Sequence, residues 1–140
     1  MSLYNVFNIA GSGMSAQSLR LNTTASNIAN ANTVSSSVDK TYRARQPVFA
    51  AELTKAAGAQ YGQSAGVKVL GVVESEAPLN IEYSPNHPQA DKDGYIYKPN
   101  VNIMEEMANM ISSSRTYQTN VQVADAAKQM LAKTLQLGQR

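Results

Sequence analysis

Few residues in this chain have types and spacing that could do chemistry. Gly11-Ser-Gly-Met-Ser-Ala16 has the G-x-G-x-x-A form of a dinucleotide-binding turn. Such a turn works only after a buried strand, with an acidic residue about twenty positions further on to hold the ribose. Here ten mixed residues precede it and no second strand leads to Asp39, so the glycines read as close-packing positions. Asp91-Lys-Asp-Gly94 matches part of a calcium loop, with Ile96 where such a loop carries its aliphatic residue. That register puts Gln89 at the first ligand position and Asn100 where a bidentate Glu is required, so a tight turn entering an extended Tyr95-Ile96-Tyr97 is the better account. His87, the only histidine, stands between Pro85 and Pro88 with Ser84 and Asp91 near it in sequence, but no nucleophile elbow accompanies them. Asn22-Thr23-Thr24 is a formal glycosylation sequon set inside a helical stretch. The absence of cysteine excludes disulfides and thiolate metal sites. No catalytic, metal or cofactor-binding constellation is expected, which leaves the surfaces to carry the function.

Composition points the same way. The 140 residues are 43% hydrophobic and only 16% charged, below the usual quarter or so. The basic residues are scattered and the net charge is +2, which gives no electrostatic case for nucleic acid or an anionic membrane. From Met1 to Val38 the only charged side chain is Arg20, and from Ile103 to Ala124 only Glu105, Glu106 and Arg115 are charged. A helix exposed to water normally carries Lys and Glu; these small uncharged polar faces read either as a low-propensity, partly disordered arm or as a helix surrounded by other helices, and disorder in the monomer with order on assembly reconciles the two. The N-terminal stretch has no cationic n-region, and Asn5, Asn8, Gly11, Ser12 and Gly13 interrupt any apolar run. Neither a signal peptide nor a transmembrane span is expected there.

Two helical arms would have to position any such surface. Asn100–Gln139 contains no Pro and no Gly before Gly138. Its apolar residues Ile103, Met107, Met110, Tyr117, Val121, Ala124, Leu131 and Leu135 recur at steps of three and four, the spacing of a helix packed along another helix. One helix of roughly 55 Å is expected, opening at Asn100 after Pro99, with Glu105 and Glu106 near its positive end. At the other end of the chain Phe7, Met14, Leu21 and Ile28 recur every seventh residue, with Leu3, Ala10, Gln17, Thr24 and Ala31 on the companion positions. Asn27, Asn30, Asn32 and Thr33 should close that helix through a left-handed residue.

Between the arms lie all five prolines. Tyr42–Ala51, Val67–Glu74 and Leu79–Tyr83 read as strands, Lys55–Gly66 as a loop and Ser84–Gly94 as a turn-rich segment. The expected fold is mainly α with a small β-containing insertion, its N- and C-terminal helices forming an antiparallel coiled coil. The expected divisions are an arm at 1–33, a central β/loop segment at 34–99 and a second arm at 100–140. Phe7, Met14, Leu21 and Ile28 would meet Ile103, Met107, Met110, Tyr117, Val121, Leu131 and Leu135 inside one subunit.

Ala10-Gly-Ser-Gly-Met-Ser-Ala-Gln17, Leu21-Asn22 and Ala25-Ser-Asn-Ile-Ala-Asn-Ala-Asn-Thr33 together resemble the signature shared by rod and hook proteins of the bacterial flagellum. His87-Pro88, Asp91, Gly94-Tyr95, Pro99-Asn-Val-Asn102, Glu105-Glu106-Met107, Asn109-Met110, Ser114-Arg115, Tyr117-Gln118, Asn120 and Lys133-Thr-Leu-Gln-Leu-Gly-Gln139 narrow the resemblance to basal-body rod proteins of the proximal rod. A Thr-Pro-Gly-Tyr turn common among such relatives is replaced here by Val34-Ser-Ser-Ser37. The resemblance implies a non-enzymatic subunit of the flagellar drive shaft that assembles helically through its terminal helices and transmits torque. It implies export by the flagellar type III apparatus without a cleaved signal, and a place in the periplasmic part of the basal body. The implied partners are copies of itself, other rod proteins, membrane-ring or hook–basal-body components and the export apparatus, with no nucleic acid, small-molecule substrate or cofactor. Asn22, Ala25, Asn27, Asn30, Arg115, Gln118 and Asn120 would then face neighbouring subunits. The alternative is a free-standing helical adaptor or export chaperone binding a partner helix, which would be a stably folded monomer.

Overall fold

The computed structural model describes residues 3–54 and 63–138. Helix α1 (Leu3–Asn30) is followed by a short 3-10 turn (Val38–Lys40). Strands β1 (Arg45–Thr54), β2 (Gln63–Glu74), β3 (Asn80–Tyr83) and β4 (Tyr95–Lys98) come next, and helix α2 (Ile103–Gly138) closes the chain. At 1.5 Å per residue the 28-residue α1 and 36-residue α2 run about 42 and 54 Å.

The ends of the helices explain their limits. The Asn102 side chain accepts from the Met104 N–H at 3.1 Å, while its carbonyl accepts the first intrahelical bond from the Glu106 N–H at 3.0 Å. Asn102 is therefore the N-cap of α2, not Asn100, and Glu105 and Glu106 lie in the first turn, beside the positive end of the helix dipole. At the end of α1 the Asn30 carbonyl accepts from both the Thr33 N–H (3.1 Å) and its hydroxyl (2.7 Å). No residue other than glycine has positive φ among those described, so the helix stops on these bonds without the left-handed asparagine expected.

The two helices pack against each other and run antiparallel. Asn27 bonds to Glu106, Arg20 to Asn109, and Gly13 lies under Asn120, so the chain numbers rise along one arm as they fall along the other. Both strand pairs are antiparallel hairpins. In β1–β2 the register shifts between Val48 and Phe49 and between Glu52 and Leu53, two bulges that increase local twist. This hairpin packs on α1. It begins at Arg45, not at Tyr42, and its return strand starts at Gln63, earlier than the Val-rich run alone indicated. Of the expected loop at Lys55–Gly66, positions 55–62 lie outside the described residues. The β3–β4 hairpin is joined to the segment after α1 by Ser35, whose N–H and carbonyl both bond to Tyr97 at 3.0 Å.

The core is thin. The buried apolar residues are Ala10, Ala16, Ala31, Ala44, Ile96, Ala124 and Ala127, and the largest fully enclosed side chains are Asn27, Pro99 and Ser113. The chain exposes 9979 Å², against about 7100 Å² for a compact monomer of 15.1 kDa.

Candidate functional site

The best-built locus of the molecule is where the last turns of α1 meet the start of β1 and the first turn of α2. Asn27 is only 1% exposed there. Its Nδ2 donates to the Arg45 carbonyl at 2.8 Å and to Glu106 Oε1 at 3.0 Å. Its Oδ1 accepts from the Arg45 N–H at 2.9 Å and from the Tyr42 hydroxyl at 2.8 Å. Both donors and both lone pairs of the amide are thus used, the full capacity of the group. By taking the N–H and C=O of one residue, the side chain does for Arg45 what a neighbouring strand would do. Glu106, itself 7% exposed, is the point on α2 to which this arrangement is tied.

A second asparagine extends the junction. Asn100 Oδ1 accepts from the Ala44 N–H at 2.8 Å, and its Nδ2 donates to the Ala77 carbonyl at 2.9 Å. Ser75 N–H bonds to the Ala44 carbonyl at 2.8 Å, and Asn80 Nδ2 to the Pro99 carbonyl at 3.1 Å. Arg45 places its guanidinium 5.4 Å from the centre of the Tyr42 ring and pairs with Glu74 at 3.0 Å. That pair is exposed, so it contributes little by itself. Further along the arms, Arg20 donates to Asn109 Oδ1 at 2.8 Å. Ser113, fully enclosed, satisfies its hydroxyl on the Asn109 carbonyl of its own helix at 2.7 Å. A Cβ at Gly13 would stand 2.8 Å from Asn120 Nδ2, whereas at Gly11 it would meet nothing within 4 Å. Of the two glycines, Gly13 is the close-packing one.

The residues that suggested chemistry are occupied locally. Asp91 Oδ1 accepts from the N–H groups of Asp93 (2.9 Å) and Tyr95 (3.0 Å), and its Oδ2 accepts from the Tyr97 hydroxyl at 3.2 Å. The Tyr95 N–H, aided by Asp93, Tyr97 and Gly94, holds this carboxyl below the usual aspartate range, against a smaller opposing effect of desolvation. Desolvation and then the bond to Asp91 raise the Tyr97 hydroxyl. A carboxylate directed at its own backbone in this way closes a turn, with Gly94 at φ +83° completing it. His87 Nδ1 accepts from the Gln89 N–H at 3.1 Å. Glu82 pairs with Lys98 across β3–β4, which lowers its carboxyl, first through the hydrogen bond and then through the charge. Among the described residues no three His, Asp or Glu side chains stand together as metal ligands, and no helix is long and apolar enough to cross a membrane.

The seam and face residues named from the sequence distribute unevenly. Met14, Leu21, Ile28, Met110, Val121 and Leu131 are half-buried, while Phe7, Ile103, Met107, Tyr117 and Leu135 are exposed. Met14, Leu21 and Ile28 each stand one position beyond Gly13, Arg20 and Asn27, which contact α2. On the expected outward face, Asn22, Ala25, Arg115 and Gln118 are exposed and Asn30 and Asn120 half-buried. Asn27 lies instead inside its own chain, because all four of its hydrogen bonds are made there. Sequence reasoning did not single out Tyr42, Arg45 or Glu106 for this network. The available signal was Glu106 itself, an acidic residue three positions past Ile103 on an arm otherwise nearly free of charge.

Comparison with known proteins bears on both arms and the segment between them. Residues 7–34 match the family described as Flagella basal body rod protein, and residues 92–137 match that described as Flagellar basal body rod FlgEFG protein C-terminal. The chain is 50% identical over 139 residues to the flagellar basal-body rod protein FlgC of Escherichia coli O6:H1, covering 99% of this chain and 100% of that one. It is 48% identical over 139 residues to FlgC of Salmonella typhimurium, with the same 99% and 100% coverage. With FlgC of Borreliella burgdorferi the identity is 34% over 147 residues, covering 96% of this chain and 97% of the relative. Similarity of this depth running from α1 through the hairpins to α2 makes the chain a member of the FlgC family of flagellar basal-body rod proteins.

Proposed function

We propose that the chain is a structural subunit of the proximal rod, with no enzymatic activity, that assembles helically through its two arms and transmits torque. The arms are residues 1–33 and 100–140, paired as an antiparallel coiled coil, and the central segment 34–99 faces outward. The subunit passes through the flagellar export apparatus without a cleaved signal. It takes its place in the periplasmic part of the basal body among copies of itself, other rod proteins and components of the surrounding ring or hook–basal body.

The observation that carries this reading is the distribution of side-chain size on the arms. Alanine, glycine, serine and asparagine fill the contact between α1 and α2, while Phe7, Met104, Met107, Ile111, Tyr117 and Leu135 remain exposed. A free-standing protein seldom leaves so many large apolar side chains outside. Helices of neighbouring subunits would cover them, with Phe7, Met14, Leu21 and Ile28 and their α2 counterparts on the packed seam and Asn22, Ala25, Arg115 and Gln118 at the rim. Many distributed contacts of this kind resist shear better than one localised contact.

Ala25→Glu tests the reading. Ala25 is exposed in the free chain, so a carboxylate there changes monomer stability by no more than about 0.5 kcal/mol, yet buries an unpaired charge if a neighbour covers the site. The expected result, in cells lacking the native protein, is normal expression with no motility and no variant in purified basal bodies. Normal swimming with the variant present in the rod would overturn the packed-arm reading.

A further inference from the structure

The β3–β4 hairpin is closed along one edge and open along the other. The Ser84 N–H bonds to the Gly94 carbonyl at 2.9 Å, and Ser35 exchanges both backbone bonds with Tyr97 at 3.0 Å. Because bonding alternates along an antiparallel pair, Asn80–Lys98 and Glu82–Ile96 carry the ladder, while Ile81, Tyr83, Tyr95 and Tyr97 turn their backbone groups outward. On the β4 side those groups are taken. Ser35 holds Tyr97, and Asp91 holds Tyr95, accepting its N–H on Oδ1 at 3.0 Å and donating its own N–H to the carbonyl at 2.9 Å. On the β3 side nothing among the described residues takes the N–H and C=O of Ile81 and Tyr83. All four residues of β3 are exposed, Ile81 at 61% and Tyr83 at 64%. Edges are commonly blunted by Lys or Pro; here Pro78 and Pro85 stand outside the strand and neither type lies within it.

We infer that the β3 edge is a docking site for an extended segment of a different protein, added as a third strand, with apolar residues opposite Ile81 and Tyr83 and a Lys or Arg opposite Glu82. Main-chain bonds to the outward groups hold such a strand, and its alternate side chains give the selectivity. Charge favours the basic residue. The region carries Glu76, Glu82, Asp91 and Asp93 against Lys92 and Lys98, in a chain whose net charge is +2. Lys98 balances Glu82 from the β4 side, and the added residue meets it from the open side. Tyr83, edge-on to Tyr95 with ring centres 5.3 Å apart, offers the strand an aromatic neighbour. A second copy fits poorly. Two β3 edges paired antiparallel, Ile81 opposite Tyr83, set the two Glu82 side chains opposite each other, where like charges repel. The chain's own apolar–Lys–apolar run, Val67-Lys68-Val69, is already paired with β1, and its Val67 N–H is held by Ser12 at 3.1 Å. The inference goes beyond the packing of the arms, because it concerns only the segment between them.

Nuclear magnetic resonance on the full chain tests the edge, with the capped peptide Thr-Val-Lys-Val-Thr as probe and Thr-Val-Glu-Val-Thr as its counterpart. The Lys peptide is expected to give saturable shifts at the Ile81 and Tyr83 amides, larger than those at Glu82 and Ser84, whose N–H groups already face β4. The Glu peptide should bind about fivefold more weakly. No response at Ile81 and Tyr83, or equal binding of the two peptides, overturns the inference. Shifts there that grow with the chain's own concentration, without peptide, also overturn it, since they mark a second copy on the edge. Ile81→Pro removes one outward N–H and leaves the ladder to β4 intact. It should weaken the Lys peptide about tenfold while the Ser84 amide stays slow to exchange. Undiminished binding with Ser84 still protected contradicts the docking edge; if the variant loses its hairpin, the two peptides on the native chain decide. Because these readouts use the hairpin alone, failure here leaves the result for Ala25→Glu in basal bodies unaffected.

Discussion

The Asn27 junction and the far ends of the arms belong to the same two helices but are held by different physics. At the junction, buried donors and acceptors find specific partners on three elements, so position is fixed to within a hydrogen bond. Toward the far ends the arms meet each other through alanine methyls and leucines face outward, while Ser12 ties α1 to the Val67 N–H of β2. Order in the free chain should be concentrated where polar groups are satisfied, with the apolar surface left for what binds next.

The largest test of that difference truncates each region. Asn27→Ala removes the partner of buried Glu106 and of the part-buried Arg45 N–H and C=O, while the Tyr42 hydroxyl keeps Ser26, at about 1–3 kcal/mol for each buried group left unsatisfied. A loss of about 3–4 kcal/mol is expected in urea unfolding of the free subunit. Leu137→Ala, at an exposed site, should change stability by no more than about 0.5 kcal/mol. Similar losses for the two would erase the comparison.

Gly66 probes the hairpin's seat on α1. It sits at φ +146°, and a Cβ there would fall 2.4 Å from Ser12 Oγ. That same oxygen accepts from the Val67 N–H at 3.1 Å and donates to the Ile9 carbonyl at 2.8 Å. Gly66→Ala should cost about 2 kcal/mol, from backbone strain and displacement of Ser12. Solvent exchange at the Val67 amide should rise with it.

Gly11 and Gly13 separate packing from helix propensity within one helix turn. Gly11→Ala adds a methyl in open space and should stabilise the subunit by about 0.5–1 kcal/mol through helix propensity. Gly13→Ala drives the same methyl to 2.8 Å from Asn120 Nδ2, and overpacking should cancel or reverse that gain by about 1 kcal/mol. Adding Asn120→Ala should restore it, measured as a coupling in a double-mutant cycle.

The smallest effect concerns pH. The Asp91 carboxyl titrates below its ordinary range in the folded chain, so its contribution is present above the unfolded value near 4 and fades as pH falls through the lowered folded one. Acidification should loosen the Ser84–Gly94 turn, seen as shifts at the Asp93 and Tyr95 amides. Asp91→Asn should make those amides insensitive to acid.

The arms were legible because proline-free stretches with apolar steps of three and four can hardly be anything but helices. The residues that fill the contact between them were harder to read. Gly13 and Ala124 were legible as a close-packing glycine and a seam position, whereas Arg20, Ser113 and Ala127 show their part only when a partner is placed against them. Asn100 and Asn102 illustrate the same limit: both suit an N-cap, and the choice was decided by Ala44 and Ala77, far away in sequence, which engage Asn100. The Ser35–Tyr97 bridge and the 3-10 turn at Val38–Lys40 are non-local or very short, and no spacing encodes them. The tight turn at Asp93-Gly94 was legible from the pair itself, because glycine at positive φ is what such a turn requires.

In the proposed rod neighbouring subunits complete the arm surfaces, and cysteine labelling reads that burial position by position because the chain contains no cysteine. Single cysteines at Ala25, Ile111 and Leu137, and a control at Lys92 in the β3–β4 turn, would be reacted with a maleimide in the free subunit and in purified basal bodies. Rapid labelling of all four is expected in the free subunit. In the rod the three arm positions should be strongly protected, with Lys92 remaining reactive. Arm positions that label as fast in the rod as in the free subunit would contradict that burial.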